Sequence, residues 1–432
     1  MAKATRDDLA AEEIGQAPPD TTPHKESFGA ALVRTWSSGS FWNDVFVMVA
    51  AFILALIVGA ILMIVASPDV LAKFTYFFSQ PGAAFGACWT KVSTAYAALF
   101  SGAVGGWSSL AETSAQAAPL ICAGLGIALS FRVGLFNIGG QGQAIWGAIF
   151  AAFAGFHYHW PIWIHLPVVI VVGLLAGALW GGLAGFLRAQ FGVNEVISTI
   201  MLNYVAIKAL VWLLNLKVFQ RPGGAPISPP VDPAATMPNV GDSRLHLGFA
   251  LALIAAVAVW WLLERTKLGF QIRAVGANPE AAATAGMNVA VVFTLVMLLS
   301  GLLCGLGGVI HVTAPTISGV SSPLNTDGVS TLGFDAITVA LLGRSKPLGT
   351  VLAGLLFGAM QAGGTQMQGH AQTPIDLVSV LQAVMVMFVA APMFVRALLP
   401  FLKKRKTDAV QKADKVDPAP ESLAVAMQGG AA

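Results

Sequence analysis

Between residues 45 and 402 the chain carries 24 charged side chains in 358 positions, and the other 21 of its 45 are crowded into residues 1–44 and 403–432. An ordinary soluble chain has about one charged residue in four. A stretch this poor in charge cannot clothe itself in solvated groups, so its outer surface has to face lipid. That argues against a water-soluble single-domain enzyme. The net charge of +3 adds little, because the placement of Lys and Arg matters more than their sum. Cys88, Cys122 and Cys304 are three and far apart, with no CxxC pair, so neither a disulfide framework nor a structural zinc site is implied.

A bilayer core takes about 20 apolar residues per helix. Ten windows approach that length with at most one charge: residues 46–66, 119–131, 139–155, 167–187, 196–216, 247–263, 289–312, 333–343, 349–364 and 377–398. Lys208, Asp335 and Arg396 are their only charges, Arg396 at an end where it can snorkel. The expected fold is therefore all-α: a polytopic membrane protein of about ten transmembrane helices. Residues 1–40 read as a disordered cytoplasmic tail, 41–402 as the membrane domain and 403–432 as a second disordered cytoplasmic tail opening with Lys403, Lys404, Arg405 and Lys406. No secretory signal is expected, since the first apolar run begins only near Phe46.

Basic residues in short loops stay on the cytoplasmic side. With the N-terminus inside, Arg132, Arg188, the group Arg265, Lys267 and Arg273, the pair Arg344 and Lys346, and the C-terminal basic run all fall inside. Both termini are thus expected to be cytoplasmic. Residues 85–100, mildly apolar and broken by Lys91, are placed as an outer interfacial segment. The outer loop HYHWPIWIH carries His157, His159 and His165 among aromatics and reads as an interfacial aromatic belt before it reads as a metal site. No metal site is expected.

Gly173, Gly177, Gly181 and Gly185 recur every four residues, a ridge along which another helix backbone can approach closely. Gly301 with Gly305 and Gly354 with Gly358 repeat the device. The partner helix can lie in the same subunit or across a subunit interface.

Motifs for nucleotide hydrolysis, HExxH and GxSxG are absent; GRSKPLG from Gly343 lacks the Walker A spacing. No catalytic residue is expected. Four segments carry more information. GLFNIGGQGQ, residues 134–143, puts four glycines beside Asn137, Gln141 and Gln143, so bent backbone at membrane depth has to be buried in protein or line a watery cavity. Two readings stay open, a packing turn capped by amides and a stretch of solute path. In NEVISTIMLNYVA, Glu195, Ser198, Thr199 and Asn203 share one side of a helix. Such a stripe faces a pore or bonds to a neighbouring helix.

In GFQIRAVGANPEAAATAGM, Asn278 suits an N-cap, Pro279 the first helical position and Glu280 the positive end of the dipole, while Gly286 can close the helix in the left-handed conformation. A helix of about seven residues is marginal alone. Its deliberate capping on an inner loop suggests a knob docked into another protein, with a plain surface helix as the alternative. Finally, GFDAITVALLGRSKPLG begins a short span with Asp335, an acid at membrane depth, for which function and capping compete. This segment and the one around Gly139 each put a glycine-edged short span after a longer one, as an inverted repeat would.

Together these four motifs, in this order, resemble the permease subunits of bacterial ABC importers for nucleosides and simple sugars, the family of branched-chain amino acid and ribose-type permeases, over roughly residues 95–398 and most closely in the nucleoside branch. The resemblance implies a plasma (inner) membrane location, a second permease subunit that is a distinct paralogue, and two cytoplasmic ATPase subunits that use ATP and Mg. It also implies an extracytoplasmic binding protein or lipoprotein. No cofactor is expected on this chain, and no nucleic-acid partner. By the same resemblance the loop from Arg273 to Gly286, with Asn278, Pro279, Glu280 and Ala281, is a coupling helix seated in an ATPase groove. One departure stands out: the family commonly has Glu where this chain has Gln141. Asn137, Gln141, Gln143, Ser198, Thr199, Asn203 and Asp335 are the candidate solute-path residues. Neutral amides and hydroxyls suit an uncharged, hydroxyl-rich solute. The rival from another class is an ion-coupled secondary transporter, for which only Asp335 and Glu195 could serve as intramembrane acids.

Overall fold

The computed structural model describes residues 39–390 apart from 224, 242, 317–318, 330 and 375. The tails, including the basic run from Lys403, and the end of the last window with Arg396 lie outside the described residues. Residues 1–50 form a separate unit, of which only the start of helix α1 is described. Everything below concerns residues 51–390.

Fifteen α-helices are formed among the described residues, with one 3-10 turn at Pro233–Ala235: α1 Gly39–Val65, α2 Pro68–Phe74, α3 Pro81–Val104, α4 Trp107–Arg132, α5 Gly140–His157, α6 Ile162–Phe191, α7 Glu195–Leu214, α8 Leu247–Arg265, α9 Lys267–Ala277, α10 Pro279–Thr284, α11 Val289–Thr313, α12 Thr326–Val329, α13 Leu332–Leu342, α14 Pro347–Ala371 and α15 Asp376–Ala390. No strand is present among them.

By length and apolar composition six of these can cross a bilayer: α4, α6, α7, α8, α11 and α14. A seventh candidate is residues 52–65 with α2, bent by 76° at the break. The ten windows of the sequence therefore do not all become membrane-length apolar helices. α5 and α13 run for only 18 and 11 residues, and α5 is buried along most of its length. A helix wrapped in protein has no need of an apolar outer face, so hydropathy reads it poorly. α4 likewise starts at Trp107, ahead of the window at 119; from Ala111 on, its polar first half has one side buried, with Glu112 and Gln116 half-buried, while Trp107 and Leu110 are exposed.

Residues 85–100, placed as an outer interfacial segment, do not lie in a helix apolar enough to count among the candidate spans of the described residues. They belong to the 24-residue helix α3, whose Lys91 ammonium donates to the carbonyl of Ala371 at 2.8 Å, meeting an orphan acceptor at the C-terminal end of α14.

The long helices pair crosswise. α4 lies antiparallel on α14, with Ile121 against Gly354 and Ala117 against Gly358, and α6 lies antiparallel on α11, with Gly173 against Val309 and Gly185 against Met297. α4 and α11 are antiparallel neighbours too, joined where Gly126 meets the carbonyl of Ser300 and Gly307 meets that of Pro119. Each long–short–long set, α4–α5–α6 and α11–α13–α14, thus packs its first helix on the third helix of the other, the arrangement an inverted repeat produces.

Close approach is what the glycine ridge provides. A methyl group on Gly177 would lie 2.5 Å from the carbonyl oxygen of Gly301 and 2.6 Å from Cα of Gly305. The partner of the ridge is therefore a helix of the same chain, one of the two arrangements the spacing left open.

Candidate solute pathway

The break between α4 and α5 is closed by its own side chains. Gly134 turns the chain with φ of +84°, and Asn137 then sits fully buried. Its amide nitrogen donates to Ser300 Oγ at 2.8 Å and to Gln143 Oε1 at 3.2 Å, while its Oδ1 accepts from the backbone N–H of Gly139 at 2.9 Å. From α7, Asn203 reaches across to accept from the N–H of Gly142 at 2.8 Å and to donate to the carbonyl of Ile138 at 2.9 Å. Two asparagines thus satisfy backbone groups that the missing helix turn leaves without partners. Gln141 Oε1 accepts from the N–H of Gly333 at 2.7 Å.

The stripe on α7 is likewise turned inward. Ser198 and Thr199 are buried and donate to the carbonyl of Glu195, and Glu195 itself pairs with Arg188 at 3.4 Å. Six of the seven path candidates, Asn137, Gln141, Gln143, Ser198, Thr199 and Asn203, therefore lie buried in and around a hydrogen-bonded junction. Lys208 is exposed on the same helix.

Asp335 is different. It lies half-buried on a cavity of about 860 Å³, within the roughly 300–1,000 Å³ of small-molecule sites. α13 contributes Asp335 and Thr338, following Thr331; α14 contributes Phe357, Gln361 and Thr365; α15 contributes Asp376, Ser379 and Gln382; α4 contributes Gln116. Gln382 is buried and its amide nitrogen has no hydrogen-bond partner. The wall offers amides and hydroxyls with two carboxylates as acceptors, and one aromatic face. Sequence reasoning missed all of these but Asp335. Their signal was present as polar side chains at helical spacing: Thr331, Asp335 and Thr338; Gln361 and Thr365; Ser379 and Gln382.

At the other end of α4, Glu112 accepts from Arg244 Nη1 at 2.6 Å and from Gln116 Nε2 at 2.9 Å. Arg244 belongs to the connection before α8, where His246 caps the helix by accepting from the N–H of Gly248 at 3.1 Å. Burial and then the nearby Arg244 push the His246 imidazole down to about 4, so the ring is neutral.

On the opposite face, Asn278 accepts from the N–H groups of Glu280 and Ala281 at 3.0 and 3.1 Å, and Gly286 closes the turn with φ of +84°. The capped helix α10 runs for six residues, one fewer than its sequence suggests. Before it, α9 sets Gly276 against the carbonyl of Arg132, and Arg132 Nε donates to the carbonyl of Ser345 at 3.0 Å. Arg273 is half-buried on α9, and its Nη1 has no hydrogen-bond partner.

Among the described residues no group of three His, Cys, Asp or Glu side chains is arranged to hold a metal ion. His157 stacks on Phe153, Tyr158 stacks on Trp160, and His165 is buried with its Nε2 at 3.0 Å from the carbonyl of Ala154.

A bundle of membrane-length helices bordering a solute-sized polar cavity, with a capped knob on one face, has the form of a transport permease. The chain belongs to the family of permease components of branched-chain amino acid transport systems, whose model matches residues 109–390. It is 36% identical over 319 residues to the guanosine ABC transporter permease protein NupP of Bacillus subtilis (strain 168), covering 73% of this chain and 90% of that one. To the nucleoside ABC transporter permease protein NupB of Lactococcus lactis subsp. cremoris it is 34% identical, over 73% of this chain and 88% of that one. To the glucose ABC transporter permease protein TsgB13 of Haloferax volcanii it is 33% identical, over 69% and 80%. No solved structure matches the chain.

Membership makes the chain a multi-pass permease subunit of an ABC transporter in the inner membrane, a transport component rather than an enzyme. It decides against the ion-coupled alternative and places the chain in a complex with ATPase and solute-binding partners.

Proposed function

We propose that this chain carries a nucleoside, or a related sugar-containing solute, into the cell through the cavity around Asp335. The observation that carries this reading is the cavity's chemistry. Carboxylates of Asp335 and Asp376 accept from sugar hydroxyls or base N–H groups, the free amide of Gln382 donates, and Phe357 offers an apolar face to a base. The names of similar permeases, with guanosine, nucleosides and glucose among them, point the same way.

In this reading two partner ATPases bind and hydrolyse MgATP, a second and distinct permease subunit completes the pathway, and an extracytoplasmic binding protein or lipoprotein delivers the solute. Closure of the ATPases pushes on α10, and α9 with Arg273 passes the push towards Arg132, against whose carbonyl Gly276 is set. The displacement passes to α13 through Arg132 and the turn before α14, and alternating access follows from rearrangement of the two halves.

Uptake of radiolabelled guanosine and glucose into cells expressing the chain with its partners tests this. Asp335→Asn and Gln382→Ala are expected to reduce uptake about tenfold, the cost of a lost polar contact of about 1.4 kcal/mol. Uptake of neither solute, or full uptake by both variants, would reject the reading. Deleting residues 279–285, or replacing Glu280 and Arg273, is expected to abolish ATPase binding and uptake together; their persistence would reject the coupling assignment.

A further inference from the structure

Beyond the main cavity, α4 borders a second chamber. It measures about 140 Å³ and is lined by Gln116 and Pro119 of α4, Arg244 and His246 of the connection before α8, His311 of α11, and Ser322. Gln116 lines the main cavity as well, so one side chain separates and joins the two spaces.

Two donors in the chamber wall have nothing to bond. His246 is 1% exposed, and because its Nδ1 accepts from the N–H of Gly248, the proton of the neutral ring sits on Nε2; that atom is buried without a partner. Arg244 uses Nη1 on Glu112, and its Nε is also buried without a partner. Buried donors left unmet in this way are destabilising, so an acceptor is expected for them.

The charge balance says which kind. Arg244 is already neutralised by Glu112, so the chamber holds no surplus positive charge to reward an anion. Its volume is too small for a whole nucleoside but admits one polar edge of it. Its wiring runs to the main cavity, because the same Glu112 Oε1 that takes Arg244 Nη1 also takes Gln116 Nε2.

We propose that this chamber is a second subsite on the solute path, in which the free N–H groups of His246 and Arg244 bind an uncharged acceptor of the solute, a hydroxyl, a carbonyl or a ring nitrogen. The proposal rests on the reading that the chain carries a nucleoside or sugar-containing solute. Glu112 holds both Arg244 and Gln116, so occupancy of the chamber at Arg244 Nε is felt at Gln116 and through it in the main cavity.

The test uses the complete transporter with its partner subunits in membrane vesicles, in a Cys88→Ser background, since Cys122 and Cys304 are buried. Ser322→Cys reports the chamber and Thr365→Cys reports the main cavity, each by its rate of modification with a small thiol reagent. With guanosine at about ten times its Kd, both rates are expected to fall about tenfold. His246→Asn keeps a capping acceptor for Gly248 but cannot reach into the chamber; it is expected to remove protection at Ser322→Cys and leave it at Thr365→Cys. Protection at Thr365→Cys alone in the wild-type background overturns the subsite while the function stands. Protection at neither position overturns the function and the subsite with it. Protection of Ser322→Cys by chloride, against gluconate and without guanosine, overturns the subsite in favour of a bound anion.

Discussion

The backbone N–H of Gly333 donates to the side-chain carbonyl of Gln141 at 2.7 Å, across 192 residues of sequence. This bond joins the N-terminal ends of α5 and α13, the two short helices of the two crosswise-packed sets. Both ends present orphan N–H groups and partial positive charge. An acceptor is therefore required there, and Gln141 supplies a neutral one.

Gln141→Glu is expected to fold and transport as the native chain does, because two helix dipoles receive its charge. Gln141→Leu leaves the N–H of Gly333 without this partner and should cost about 1–3 kcal/mol. Thermal unfolding of the purified protein in detergent checks both; equal melting of Gln141→Leu and the native chain would contradict the account.

Gly177 and Gly182 lie five positions apart on α6 but meet different surroundings. A methyl on Gly177 collides with backbone of α11, whereas the nearest atom to one on Gly182 is 3.7 Å away, on Leu298. Gly177→Val should destabilise by about 3 kcal/mol or more through overpacking, and Gly182→Ala should be neutral or slightly stabilising through helix propensity. The amount of folded protein recovered from membranes distinguishes them.

Arg132 ties the end of α4 to the carbonyl of Ser345, in a turn where Arg344 and Ser345 both hold φ of 52°. Such backbone persists only where the surroundings hold it. If motion of α10 travels by this route, Arg132→Ala should leave ATP hydrolysis within about twofold while uptake falls by about 5-fold or more, the range of a coupling energy. Arg132→Lys should recover part of the uptake. Parallel loss of hydrolysis and uptake would point to misassembly instead.

The imidazole of His246 titrates near 4 in the folded chain, against an ordinary 6.5. As pH falls through this window the unfolded chain takes up the proton first, so stability is complete above about 6.5 and declines towards 4. The loss amounts to about 3 kcal/mol at about 1.4 kcal/mol per unit. Melting temperatures at pH 7.5 and pH 5 should therefore converge in His246→Asn relative to the native chain; an unchanged acid sensitivity would remove His246 as its source.

Much of this could be read from residue order, and the exceptions share a cause. Asn278, Pro279 and Gly286 announce α10 because capping is decided within a few residues. The ridge from Gly173 to Gly185 announces a close helix contact, yet nothing local says that Gly301 and Gly305 receive it. Asn137, Gln143 and Asn203 look like path residues because polar groups at membrane depth are costly. In the structure Asn137 and Asn203 bond to backbone at the break between α4 and α5 and Gln143 bonds to the Asn137 side chain, the hydrogen-bonded packing that the sequence had left open beside a path role. Gln361, Thr365 and Gln382 passed unnoticed because nothing local to α14 or α15 says that their polar positions face one cavity.

Charge poverty over 358 positions was enough by itself to commit this chain to lipid, and helical periodicity with capping was enough to place most of its elements. Those are properties of neighbouring residues and of composition. Which polar groups face each other and which face a cavity was settled only by folding, since α4, α13, α14 and α15 bring their side chains to one space from positions as far apart as Gln116 and Gln382. Polarity is legible along a chain; its satisfaction depends on what the fold sets opposite.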